Sequence, residues 1–425
     1  MLKLQKLLPF LLMFAILANS ALGNTLFALP SKDDPSNLLW KGRSIKVAIS
    51  SSLTNPSPNI KIGSDVAGAI QRSIAAWQDV TPIKIFTQHS DKQSVSQAGV
   101  TGDGVSLITI AATPENVLFF GKEQETMSAR TRIFYNRRGF IIESDIALNP
   151  FQQFSTDGTF GTFDLESTLR HEIGHLLGLR HSSVIGSVMY DSKASNGVFG
   201  MVTEQSVLSG DDISAIRSIY GSNVTDERCC GSISGKIVSS RRGFREFSVW
   251  LQEIGTGRIV ASTNGNRIGA FKFNGLPEGV YSVFASEVTK DNEFSTQKLG
   301  DVTVSNETIT SFSGKYARKT IDSSIEVLGL NGVLSDSPIN LNRGNFYTVF
   351  AGGKNLTTEQ IGIDSPYISI VPDSFSKIEY SDAVSVVSFQ IDIDSKTPPG
   401  QYSVYAISEN GEMDYCLGGI SIGVK

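Results

Sequence analysis

The chain has 425 residues, with 37 basic against 42 acidic side chains and a formal net charge of −5. That length predicts two to four domains, and the mildly acidic balance, with no long run of either sign, argues against a nucleic-acid partner. Three cysteines are too few for a disulfide scaffold, so each fold must stand on its own core.

At the N-terminus, Lys3 and Lys6 precede an apolar stretch from Leu7 to Leu17 that is short for a membrane span, and Ala21-Leu22-Gly23 set small side chains at peptidase-read positions. A secretory signal over 1–23 is expected, cleaved after Gly23, with an uncleaved anchor as the alternative. Residues 24–38, with Pro30 and Pro35, read as a flexible lead. Ile45 to Ile49 alternates as a strand does. Ser64 or Asp65 can cap a helix whose apolar residues Val66, Ile70, Ile74 and Trp77 recur at helical spacing. Strands are predicted at Ile83 to Phe86, Val105 to Ala111, Arg130 to Asn136 and Phe140 to Asn149. A helix is then predicted from Asp164, with Glu166 in its first turn, where negative charge favours the helix dipole.

That helix carries three of the chain's four histidines within the segment His171-Glu172-Ile173-Gly174-His175-Leu176-Leu177-Gly178-Leu179-Arg180-His181. Residues four apart share a helix face, so His171 and His175 can address one metal ion while Glu172 lies beside that face. Gly178 lets the helix stop and turn, bringing His181 back as a third nitrogen. Zinc with three protein ligands and an open position is the catalytic arrangement. The apolar residues Leu169, Ile173, Leu176 and Leu177 make the helix a core element whatever its chemistry, but a core stripe alone does not explain this constellation.

The segment resembles the metzincin signature H-E-x-x-H-x-x-G-x-x-H, and Ser187-Val188-Met189-Tyr190 is similar to the methionine turn that lies beneath the metal in that clan. His181-Ser182-Ser183 and the later run Leu208 to Gly221 look like the matrixin branch. The resemblance covers residues 38 to 222. It implies an α+β catalytic domain with a mixed twisted sheet, one catalytic Zn2+ held by His171, His175 and His181, Met189 supporting from below, and a zinc-bound water activated by Glu172. In matrixins an aspartate of the closing helix ties down the methionine turn or the mature N-terminus; Asp212 is read for that role or as a simple cap. Tyr190 directly follows the methionine and is given no ligand role. A strand ending at Ile146-Ala147-Leu148 would border the cleft and pair with substrate, an interior position being the alternative. The cysteine switch of animal matrixins is missing. Only His89, near Asp91, remains outside the cluster, so a second zinc is not expected. Ca2+ is compatible with the sequence, which specifies no ligands for it.

Beyond Gly221 the pattern changes to short strands punctuated by turn residues, as in β-sandwiches. Residues 228–318 resemble a carboxypeptidase-regulatory-like or Cna-B-like sandwich, and 322–425 an Ig-like IPT/TIG-type sandwich, the polar stretch from Ser222 to Glu227 serving as linker. The expected whole is multidomain: a flexible lead (24–38), a metzincin-like catalytic domain (39–222) and two all-β sandwich domains. The expected activity is a secreted zinc metalloendopeptidase acting on extended protein or peptide substrates, monomeric, with an extracellular-matrix or cell-surface ligand for the β domains. The catalytic domain would fold and cleave without them. A secreted adhesion protein on an inactive metzincin-like scaffold and a non-matrixin metzincin are the alternatives. Cys229 and Cys230 are adjacent and Cys416 distant, so at most one disulfide forms, its pairing left open.

Overall fold

A computed structural model describes residues 38–423 apart from 56, 100, 124, 192–206, 224–228, 240–246, 267, 289–293, 358–359 and 379–383. The expected signal (1–23) and nearly all of the lead fall outside the described residues, as does most of the linker.

The N-terminal region contains strands β1 (Leu39–Trp40), β2 (Ser44–Ser50), β3 (Lys84–Ser90), β4 (Leu107–Thr109), β5 (Ala129–Tyr135), β6 (Phe140–Leu148), β7 (Phe154–Ser155) and β8 (Phe163–Asp164). Its helices are α1 (Ser51–Thr54), α2 (Val66–Gln78), α3 (Pro114–Phe120), α4 (Leu165–Leu176) and α5 (Gly210–Tyr220). The main sheet runs β1-β6-β4-β2-β3, parallel throughout, with β5 added antiparallel on the other side of β6. Asp65 caps α2 by accepting from the Gly68 amide, and Asp164 caps α4 by accepting from the Ser167 amide. Helix α3 was not anticipated. Its signals are nevertheless local: Thr113 caps it, Pro114 stands in its first turn and Glu115 follows.

The edge position requires a correction. Ile146, Ala147 and Leu148 are fully buried, because β6 has β1 and β4 on one side and β5 along the other. The short turn from Asn136 to Gly139, closed by Asn136 N–H donating to Phe140 O (2.9 Å), folds β5 back outside β6. Among the described residues β5 pairs with β6 alone, so β5 is the free edge on this side of the sheet, opposite β3.

Helices α2 and α4 pack on each other over this sheet. Trp77 is completely buried, and its indole N–H donates to Arg170 O on α4 (2.9 Å). The core joins Ile70, Ile74 and Trp77 of α2 to Leu169, Ile173 and Leu176 of α4 and to Ile216 of α5. Burial of each such side chain contributes about 1.5–3 kcal/mol.

The remainder is all β. Its first part comprises β9 (Cys229–Ser239), β10 (Phe247–Glu253), β11 (Ile259–Gly265), β12 (Ala270–Pro277), β13 (Gly279–Glu287), β14 (Gln297–Val304) and β15 (Ile309–Tyr316). The second comprises β16 (Ser324–Leu330), β17 (Val333–Ser335), β18 (Ile339–Leu341), β19 (Phe346–Lys354), β20 (Ile361–Ile363), β21 (Ile368–Ile370), β22 (Ser376–Ile378), β23 (Ser385–Ile393), β24 (Gly400–Ile407) and β25 (Met413–Ile422). Separate cores fill the two parts, yet Ile259 of β11 pairs with Gln401 of β24, so one sheet passes through both. The disulfide joins Cys229 to Cys230, leaving Cys416 a buried free thiol.

The β parts do not stand apart from the N-terminal region. Helix α5 lies against β11 and β12, with Ser214 Oγ donating to Asn274 O (3.1 Å). Val184 and Ile185 are buried among β-part side chains.

Candidate metal centre

Helix α4 presents His171 and His175 one turn apart, and Gly174 between them is dictated by packing. A Cβ there would lie 2.2 Å from the sulfur of Met189, which is fully buried beneath the helix. After α4, Gly178 takes φ +98°, and a Cβ on it would lie 2.2 Å from Leu38 O. Only glycine fits that left-handed turn, and it is the turn that returns His181 to the other two rings.

The three histidines each offer a ring nitrogen within 4.8 Å of the others. His171 Nδ1 is 2.7 Å from Val188 O and His175 Nδ1 is 2.8 Å from Leu179 O. Each Nδ1 thus donates its proton to a carbonyl and leaves Nε2 with its lone pair toward the cluster. His175 Nε2 and His181 Nε2 are 3.1 Å apart. Nitrogens at ~2.0–2.1 Å from a tetrahedral zinc are separated by about 3.3–3.4 Å, close to the spacing of this pair, and His171 completes a set of three imidazole donors of the kind that ion takes. Burial pushes all three imidazoles below the ordinary histidine range, and for His175 the neighbouring His171 and His181 add to it. Neutral imidazole is the ligating form.

Glu172 is buried and outside the ligand triangle. Thr131 Oγ1, on the free-edge strand β5, donates to its Oε2 at 2.5 Å. Burial raises the Glu172 carboxyl above its usual range, opposed by the His171 charge and by the Thr131 hydroxyl. Thr131 went unnoticed in the sequence because nothing local marks it: its partner lies 41 residues away.

Asp212 combines both roles considered for it. It forms a capping box with Ser209 on α5. Its carboxylate also accepts from Ser187 Oγ (2.6 Å), Val188 N–H (2.9 Å) and Met189 N–H (3.2 Å), which ties the methionine turn down. Asp211, in the first turn of α5, is buried, and its carboxylate accepts from Ser182 Oγ at 2.6 Å and from the Ser262 amide of β11. Burial, then the Asp212 charge, raises it to about 7. Tyr190 packs against the core of the second β part. His89 is exposed at the far edge of the sheet on β3, 3.8 Å from Asp91.

Residues 114–221 match the matrixin family, Peptidase_M10. Interstitial collagenase of Oryctolagus cuniculus is 26% identical over 220 residues, 52% of this chain and 41% of that protein. Metalloendoproteinase 1 of Glycine max is 49% identical over 61 residues, 14% of this chain and 18% of that protein. The chain thus spans less than half the length of these relatives. Among solved structures, the major pilin subunit of Bacillus cereus aligns with 44% of this chain and 66% of its own, at 10% identity and a TM-score of 0.16. The sequence comparisons support a matrixin-like region in the N-terminal half, and the structure places a large all-β region after it.

Proposed function

We propose that this chain is a secreted zinc-dependent endopeptidase of matrixin type. The observation that carries the reading is the convergence of His171, His175 and His181 nitrogens beside a buried carboxylate that is not one of them. His171, His175 and His181 would hold the ion; when bound, zinc polarises a carbonyl and acidifies water from a pKa of about 15.7 toward ~7. Glu172 accepts the proton of the attacking water and delivers it to the leaving amine. Thr131 fixes the carboxylate for that transfer. An extended peptide pairs with the outer edge of β5 by strand addition, which brings its backbone past Thr131 and Glu172. Met189 supports the histidines from below. The N-terminal segment 1–23 directs export, and the β regions face an extracellular ligand.

The test is metal analysis joined to a peptidase assay on the mature chain. About one zinc per chain, casein cleavage abolished by chelation and restored by zinc, is the expected result. A zinc-loaded, folded chain without turnover would leave the adhesion-scaffold reading in its place.

A further inference from the structure

We infer that the two β regions form a clamp that shapes the loop bearing the third histidine, so that metal retention depends on their docking. The inference rests on the zinc reading of the site.

The loop from Leu179 to Tyr190 is anchored to the catalytic core at its ends. Leu179, Val188 and Met189 belong to that core, and Ser182 N–H donates to Met189 O (2.8 Å). Its middle leaves the core. Val184, fully buried, packs with Trp250, Ile259 and Phe284 of the first β region and Leu417 of the second. Ile185 enters the core of the second β region, and its N–H donates to Leu417 O on β25 (2.9 Å). Ser183 Oγ lies 3.3 Å from Ser248 Oγ of β10.

The fit is close on both sides. A Cβ on Gly418, at φ +69° in β25, would lie 2.5 Å from Val184, and one on Gly186 would lie 2.4 Å from Gln401. A second, polar route reaches the site through Asp211. One carboxylate oxygen takes the Ser262 amide of β11 and the other the hydroxyl of Ser182, next to His181.

The two apolar residues in the middle of the loop, Val184 and Ile185, need cover, and the seam between the β regions supplies it. Without that cover the loop loses its one fixed shape, and His181 with it. Outer-shell groups that orient ligands typically govern 10–100-fold in metal affinity. The β regions therefore act as positioning elements for the metal centre, beyond any ligand they carry.

The full mature chain is loaded with zinc and titrated with a competing chelator, beside the variants Asp211→Ala and Gly418→Val. Each variant is expected to hold zinc 10–100-fold more weakly while keeping the parent's β-sheet circular dichroism. Because Gly418→Val can fail to fold, hydrogen exchange on the unmodified chain gives an independent reading: the Ile185 amide should be protected to the level of β25. Folded variants that retain zinc within about twofold of the parent, or an Ile185 amide exchanging like an exposed loop, overturn the clamp. A parent that binds no zinc overturns the metal reading and the clamp with it; a parent that binds zinc with unchanged variants overturns the clamp alone.

Discussion

Helix α4 and the loop after it contribute to one site but are held by different means. His171 and His175 are set by helical spacing, a local cap at Asp164 and a core stripe. His181 stands on a loop whose middle is buried in another part of the chain. The helix half is set by local spacing, although both of its rings also donate to loop carbonyls; the loop half is only as fixed as the surfaces around it. Damage to the two halves should therefore look different.

The largest effect on stability is expected from the loop. Val184→Asp would put an unpaired charge at a fully buried position, costing about 3–5 kcal/mol. The thermal midpoint of the whole chain should fall, since the residue joins three packed parts. A midpoint unchanged within a degree would break the contrast drawn between helix and loop.

On the helix side the expected loss is catalytic and not structural. Glu172→Ala should lower turnover on the order of 10² or more while zinc content and thermal midpoint stay close to the parent. Parallel loss of zinc would show that Glu172 serves the fold instead.

A pH series sharpens the loop half. Asp211 is raised in the folded chain to about 7 by burial and the neighbouring Asp212 charge, above an unfolded value near 3.8. The folded state therefore binds the proton more tightly. Its stabilising contribution is complete below the unfolded value and is lost as pH rises through about 7. Stability should fall with pH across that window by at most about 1.4 kcal/mol per unit from this group. Asp211→Asn, which cannot ionise, should flatten that part of the slope; identical slopes for parent and variant would remove Asp211 as its source.

Thr131→Val should have the smallest effect, roughly tenfold in turnover for a hydrogen bond to a carboxylate worth about 1.5 kcal/mol. Thr131→Ser should restore it. Loss of substrate affinity at unchanged turnover would mean that Thr131 serves the strand edge and not the base.

How much could be read in advance follows from how local each signal is. The capped helices α2 and α4, the histidine spacing and the need for glycine at 178 are consequences of a few neighbouring residues, and all were legible. Helix α3 also carries a local signal, in Thr113-Pro114-Glu115. Strand order was not legible: β5 and β6 both alternate or run apolar, and which lies outside depends on the Asn136–Gly139 turn and on what β6 meets across the sheet. Thr131, Asp211 and Val184 are ordinary residues in sequence, given roles by partners tens to hundreds of residues away.

The sequence by itself thus determined the histidine pattern, the helix that carries it and the change to β structure after Gly221, because helix periodicity, capping and turn chemistry act over a few residues. Only the tertiary structure decided which strand is the free edge, what holds Glu172 and what covers the loop of His181. Those depend on burial, and burial is a property of surfaces that meet only once the chain has folded.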